Sequence, residues 1–152
     1  MEHKDLSILN AKRSIGINMN DTDIADVWLK VRDDNDLSNW LLISVVNNLA
    51  VLKGYGVTFE EMVDNIHNDQ IYYGVIRVIV SGKVKFFGLY IAGSSVSGIQ
   101  KGKAAMAKSG VFKYFDGLHA ELSYDEEISE ISKINLSEKI RLVTKQTDIK
   151  II

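Results

Sequence analysis

The chain has 152 residues, of which 46% are hydrophobic and 25% are charged, and its formal net charge is -2 at pH 7. This composition is typical of one globular domain and excludes both a disordered chain and a fibrous repeat. The near balance of charge gives no overall attraction to nucleic acid. Cysteine is absent, which excludes disulfides and thiolate catalysis. No stretch approaches the ~20 consecutive apolar residues of a membrane span. We therefore expect a cytoplasmic protein.

Residues 1–19 show no sustained periodicity and are predicted to form an N-terminal extension. The first helix is predicted to begin at one of three N-cap candidates, Asn20, Asp21 or Thr22, and to end near Arg32. Its apolar side chains recur at the spacing of one helical face: Ile24, Val27, Trp28 and Val31. Two strands follow, and we predict a β-hairpin because they are joined by Asn47 and Asn48, which tolerate positive φ.

A second helix and a second hairpin are predicted in the middle of the chain. Thr58 and Glu61 form a T-x-x-E capping box, and the helix that follows has an apolar side: Met62, Val63 and Ile66. Residues 71–80 and 83–92 are rich in β-branched and aromatic types and are joined by a Ser81-Gly82 turn. Because the strands of both hairpins are apolar almost throughout, we expect helices to cover both faces of the sheet.

The longest predicted helix runs from Val96 to Leu118. Its apolar residues fall on one arc that we expect to pack on the core: Ala107, Val111, Tyr114, Phe115 and Leu118. Small or polar residues occupy the opposite arc: Gly98, Gly102, Ala105, Ser109 and Asp116. This second arc is open to a close-fitting partner and is bordered by three lysines and one methionine: Lys101, Lys108, Lys113 and Met106.

The chain is predicted to end in a fifth strand, residues 119–124, and a final helical region that begins with acidic residues. Isoleucines form a helical stripe in this region: Ile128, Ile131 and Ile134. Asn135 and Ser137 compete with helix by bonding local backbone, so one bent helix and two short helices both remain open. The element order predicts an α/β fold with a mixed five-stranded sheet and about four helices, in one domain over residues 20–146 followed by a tail at 147–152.

Motifs of catalysis and metal binding are missing from the sequence. The three histidines, His3, His67 and His119, lack the spacing of a shared metal site. The glycine-rich stretch before the long helix is not a P-loop, because Ala104 stands where a magnesium-binding Ser or Thr is required. The acidic run at residues 33–36 lacks the Gly and the bidentate Glu of a calcium loop. We therefore expect no enzymatic activity, no cofactor and no metal.

Three stretches of the chain resemble the actin-depolymerising-factor homology family, also called ADF/cofilin, and most closely its coactosin branch: VSGIQKGKAAMAKSGVFKYFDGLHAEL, VRDD at Val31 to Asp34 and KVKF at Lys83 to Phe86. The similarity covers about residues 22 to 143. The resemblance implies the ADF-homology fold. It also implies a monomeric protein of the actin cytoskeleton that binds the sides of filaments, without catalysis, and modulates filament dynamics.

The resemblance further implies two actin-binding surfaces. In the first, the long helix docks in the cleft between two actin subdomains through Lys101, Lys103, Lys108, Lys113 and Met106. In the second, a basic hairpin strand and the last helix contact a neighbouring subunit through Lys83, Lys85, Lys139 and Arg141. Strand alternation is expected to point Val84 inward and to leave Lys83 and Lys85 on one outer face. Phe112 is expected to pack at the edge of the core.

Two alternatives remain open. One is a cofilin-like protein that binds actin monomers and severs or depolymerises filaments. The other is a scaffold or regulatory module that uses the same fold for a partner other than actin. Phosphoinositides also remain open as competing ligands of the lysines.

Overall fold

The computed structural model describes residues 17–124 and 127–152, so most of the predicted N-terminal extension, residues 1–16, lies outside the described part. Within that part, four α-helices accompany a sheet. The helices are α1 (Thr22–Arg32), α2 (Phe59–Asp64), α3 (Gly98–Phe112) and α4 (Lys133–Thr144). The strands are β1 (Trp40–Val46), β2 (Leu49–Gly56), β3 (Ile71–Val80), β4 (Lys83–Ala92), β5 (Leu118–Tyr124) and β6 (Ile149–Lys150). None of the described helices is long and apolar enough to span a membrane.

The sheet has the strand order β2-β1-β3-β4-β5, with β6 paired to β3. The β4–β5 pair is parallel and the other strand pairs are antiparallel, which confirms the predicted mixed sheet of five strands and adds a short sixth from the C-terminal tail. Both hairpin turns form where predicted, because Asn47, Asn48, Ser81 and Gly82 all have positive φ. At the β2 edge of the sheet, Asn18 forms an isolated parallel β-bridge with Leu49.

Two apolar cores lie on opposite faces of the sheet. On one face α2 and α4 cover the sheet, and the buried side chains include Met62, Leu136, Ile140, Phe87 and Leu122. On the other face α1 and α3 cover it, and the buried side chains include Val27, Val31, Val111, Leu41 and Val75. The predicted helical cover of both faces is therefore confirmed for the central strands.

Local signals in the sequence explain where the first two helices begin. Asp21 accepts a hydrogen bond from the Asp23 amide and caps α1, whose predicted apolar stripe is buried. Thr58 and Glu61 form the predicted capping box of α2. Hydrogen bonds that Glu61 accepts from the backbone of Thr58 and then Val57 hold the pKa of its carboxyl below the usual range.

The predicted helix from Val96 to Leu118 is too long at its C-terminal end. The structure ends α3 at Phe112, and Gly117 with φ of 89° turns the chain into β5, which begins at Leu118. The apolar pattern continues past the helix because Phe115 and Leu118, which follow it, also pack against the core. Phe115 is buried, whereas Tyr114 is 37% exposed and is not part of the inward face.

The last helix also differs from its prediction. It begins at Lys133 with Ser132 as N-cap, after a 3₁₀ turn at Ile128–Glu130 and not at an acidic first turn. The predicted isoleucine stripe is wrong because Ile131 precedes the helix and Ile134 is 76% exposed. Asn135 and Ser137 do not interrupt the helix, which is continuous and buries Leu136 and Ile140 instead.

Two strand segments are more exposed than the sequence predicted. β2 is the edge strand of the first hairpin, and its Leu49 and Tyr55 are each 45% exposed. Val84 is 40% exposed, which contradicts the inward placement. It lies near the hairpin tip, where the helical cover thins, although the strand still places Lys83 and Lys85 on a common face.

Gly93 and Gly102 provide a matched pair of substitutions on either side of the start of α3. A Cβ at Gly93 would overlap the backbone carbonyl of Asn68, whereas a Cβ at Gly102 would meet nothing within 4 Å. We expect Gly93→Ala to lower the free energy of unfolding by about 1 to 3 kcal/mol. We expect Gly102→Ala to raise it by up to about 1 kcal/mol, because alanine has the higher helix propensity.

Urea denaturation of both variants beside the parent protein measures this difference. Equal stability of the Gly93→Ala variant and the parent would contradict the close approach of the β4–α3 connection to Asn68.

Candidate functional site

The helix α3 presents most of its surface to solvent. Ser97 caps its N-terminus by accepting a hydrogen bond from the Gln100 amide. From Gly98 to Gly110 no residue is buried, and the helix buries only Val111 and Phe112 at its C-terminal end. The structure thereby confirms Phe112 as a core residue. It also confirms the outward arc of small residues, because Gly98, Gly102, Ala105 and Ser109 are all exposed.

Two tyrosines of the sheet hold the exposed part of α3 through its backbone. Tyr73 on β3 and Tyr90 on β4 are cross-strand partners with ring centroids 5.7 Å apart. The Tyr73 hydroxyl donates to the Ala104 carbonyl at 2.7 Å, and the Tyr90 hydroxyl donates to the Lys101 carbonyl at 3.2 Å. Burial raises the pKa of Tyr73 well above its ordinary value of 10.0, which favours the protonated hydroxyl that donates this hydrogen bond.

The residues predicted on α3 differ in their surroundings. Met106 is 84% exposed, Lys103 is exposed and Lys101 is half-buried, so these three residues lie on the outer part of the helix. Lys113 is exposed just after the helix, at its C-cap. At 100° per residue, Lys101 lies on the opposite flank of α3 from Lys103 and Met106. We call the accessible residues on both flanks the helix surface: Lys101, Lys103, Met106 and Lys113.

Lys108 lies apart from the helix surface. Its ammonium nitrogen is 5.2 Å from the centroid of the Tyr90 ring and 3.3 Å from the Ser123 hydroxyl oxygen. The side chain is half-buried and ties α3 to β4 and β5. The Lys108 ammonium group is therefore less accessible to a binding partner than the exposed ammonium group of Lys103.

A groove of about 710 Å³ separates α3 from the first hairpin. Its apolar floor includes Val45, Ile71 and Tyr73, and Met106 and Ala107 line the side formed by α3. Lys53 and Lys103 stand at its polar rim. The sequence did not predict this groove, because it depends on how far α3 stands from the hairpin.

The hairpin lysines lie on the opposite face of the sheet. Lys83 pairs with Val80 and Lys85 with Val78, and both valines belong to the core beneath α2 and α4. Since directly paired residues share a face, Lys83 and Lys85 point to the α4 side. Lys83 is exposed and Lys85 is half-buried.

The two predicted residues of α4 are placed differently from each other. Arg141 is exposed in the last turn of the helix. The ammonium nitrogen of Lys139 lies 4.7 Å from the centroid of the Tyr124 ring, so this side chain is half-buried against β5. We call the set Lys83, Lys85, Lys139 and Arg141 the hairpin surface.

The described residues contain no group of three or more His, Cys, Asp or Glu side chains that is arranged to hold a metal ion. The ring of His119 packs against Phe87 with centroids 5.6 Å apart, and the backbone amide of His67 donates to the Tyr72 hydroxyl. His3 lies outside the described residues. The His119 ring therefore has a structural contact, and the accessible features of the site are basic and apolar.

Comparison with known proteins connects these surfaces to a family. A sequence model described as cofilin/tropomyosin-type actin-binding protein matches residues 16–141. No curated protein sequence matches the chain.

Solved structures of three proteins share the fold. Coactosin from Entamoeba histolytica is 20% identical with a TM-score of 0.67, over 78% of this chain and 91% of its own. Mouse coactosin, described as an actin filament binding protein, is 18% identical with a TM-score of 0.65, over 77% of this chain and 84% of its own. Cofilin from Streptomyces griseoflavus is 17% identical with a TM-score of 0.69, over 81% of this chain and 98% of its own.

At these sequence identities the three solved structures establish only the shared ADF-homology fold. The assignment of this chain to a family therefore rests on the match to the sequence model. That match extends from the residue before the first described one to the last turn of α4, and it includes strands β1 to β5 and the helix α3. The chain belongs to the cofilin/tropomyosin-type family of actin-binding proteins.

Proposed function

We propose that this protein binds the sides of actin filaments, without catalytic activity, and thereby modulates filament dynamics. The proposal is supported chiefly by the exposure of the helix α3, on which Met106 is 84% accessible. The chain that presents this helix belongs to a family of actin-binding proteins. Mouse coactosin, which shares the fold, is described as an actin filament binding protein. The proposal also places the protein at the actin cytoskeleton.

Two separate surfaces suit a filament better than a single subunit. The helix surface lies on the α3 side of the sheet, and Lys83 and Lys85 lie on the α4 side. A ligand that contacts both must extend past the edge of the domain. Neighbouring subunits of a filament provide such a ligand, with α3 in the cleft of one subunit and the hairpin surface on the next.

Apolar contact contributes more to affinity in this account than charge does. Each exposed lysine paired with a carboxylate contributes only about 0.2 to 1 kcal/mol and is screened by salt. Burial of one methionine side chain contributes about 1.5 to 3 kcal/mol. Met106 is therefore expected to supply more affinity than any single lysine, while the lysines raise the rate of association.

Charge reversal tests the hairpin surface. We expect the double variant Lys83→Glu, Lys85→Glu to remain in the supernatant when pre-formed filaments are sedimented at low salt, because it reverses both positive charges of the hairpin at the proposed contact. Lys30→Glu with Arg32→Glu is the control for the change in net charge. Because these two side chains lie over the rings of Tyr55 and Trp28, the free energy of unfolding of both double variants is measured beside their filament binding. If both double variants pellet with filaments as the parent does, the hairpin surface is not an actin contact.

Truncation of the exposed methionine tests the helix surface. We expect Met106→Ala to raise the dissociation constant for filaments about tenfold, because one apolar side chain is lost from the interface. The free energy of unfolding should not change, since Met106 is 84% exposed. Leu29→Ala on α1 is the control, because Leu29 is also a helical aliphatic residue and is 63% exposed. An equal effect of the two substitutions on filament binding would contradict a specific role for Met106.

A cofilin-like activity is the second candidate, since the cofilin of Streptomyces griseoflavus matches this fold as well as the coactosins do. Such a protein would bind monomers and sever filaments. Dilution of fluorescent filaments distinguishes the two activities. Side binding predicts a rate of fluorescence loss no faster than that of bare actin, whereas severing predicts a several-fold faster loss.

A further inference from the structure

We propose that Tyr73 and Tyr90 are positioning residues for actin binding, because their hydroxyls hold the N-terminal half of α3 in place. This inference rests on the proposed function and identifies what keeps the helix surface in shape. The two hydroxyls donate to the carbonyls of Ala104 and Lys101, which are one turn apart on the same side of the helix. Lys103 lies between the two carbonyls that accept these hydrogen bonds, and Met106 follows two residues after Ala104.

The N-terminal half of α3 has little else to hold it. Most helices in proteins are stabilised by an apolar face packed on a core, but no residue between Gly98 and Gly110 is buried. Ala104 is the apolar residue of this segment that packs against the core, and only in part, while Lys108 contacts Tyr90 and Ser123 further along the helix. Gly102 lowers the helix propensity further. A short exposed helix of this kind is unstable alone, so the tyrosine hydroxyls have a large effect on its population.

The geometry of the two tyrosines suits a positioning role. They face each other on adjacent central strands and are 2% and 5% exposed, so their rings are fixed by the sheet. The Tyr73 ring also packs edge-on against Phe112, with centroids 5.9 Å apart, at the buried end of the same helix. The sheet therefore fixes both ends of α3: Phe112 by packing, and Lys101 with Ala104 by hydrogen bonds.

Phenylalanine substitutions remove the hydroxyls and keep the rings. We expect Tyr73→Phe and Tyr90→Phe each to accelerate amide hydrogen exchange over residues 101–108 by about fivefold, because each removes one hydrogen bond with a net contribution of about 1 kcal/mol. The double variant should accelerate this exchange more than either single variant does. Exchange in the centres of β3 and β4 should not change. The double variant should also raise the dissociation constant for filaments by about threefold or more, because a smaller fraction of the protein has a formed helix.

Tyr72→Phe is the matched control for these variants. Tyr72 is adjacent on β3 but points to the other face, where its hydroxyl accepts a hydrogen bond from the His67 amide. It should leave exchange in α3 and filament binding unchanged. Adding Gly102→Ala to the double variant should restore part of the exchange protection of α3, since it raises helix propensity at a position with open space.

Two results would overturn the positioning role. One is unchanged exchange over residues 101–108 in the double variant. The other result is a double variant that exchanges faster in α3 but binds filaments as tightly as the parent protein, provided that the parent itself pellets with filaments. If the parent itself fails to pellet with filaments, the proposed function is wrong, and the exchange measurement alone then shows whether the tyrosines hold α3.

Discussion

The pairing of β3 with β4 is the interaction on which the rest of the molecule depends. The two strands are paired along their whole length, from Ile71 with Ala92 to Val80 with Lys83. β3 also pairs with β1 and β6, and β4 pairs with β5, so this hairpin joins every part of the sheet. At one end it presents Lys83 and Lys85, and near the other it supports α3 through Tyr73 and Tyr90. The two proposed contact surfaces are therefore held at a fixed separation by one continuous ladder of hydrogen bonds.

The helix α3, which we propose binds actin, contrasts with this hairpin. α3 is anchored by side-chain burial only at its C-terminal end, where Val111 and Phe112 enter the core. Its exposed glycines and small residues leave room for a partner to approach closely, but they also reduce the stability of the helix on its own. We infer that the domain combines a stable sheet with a weakly stable helix, and that hydrogen bonds from the Tyr73 and Tyr90 hydroxyls to the helix carbonyls compensate for the missing apolar anchors.

The sequence was sufficient to predict features that depend on local chemistry. The N-cap Asp21, the capping box of Thr58 and Glu61, and both hairpin turns follow from residues within a few positions of one another, so the order of elements could be predicted. The C-terminal end of α3 could not, because the helical pattern continues while pairing of Leu118 with Phe86 competes for the same residues. The start of α4 was misplaced because Ser132, and not the acidic run before it, caps the helix.

The candidate site was predictable in part for the same reason. Alternation along β4 correctly placed Lys83 and Lys85 on one face, but only tertiary packing determines that Lys108 rests on the Tyr90 ring while Lys103 stays in solvent. A reconstruction of actin filaments saturated with the protein tests the central claim most directly. The account predicts density for α3 against one subunit and for the Lys83–Lys85 end of the hairpin facing its neighbour. Filaments that remain bare, or that contact the domain through the α1–β2 edge, would contradict it.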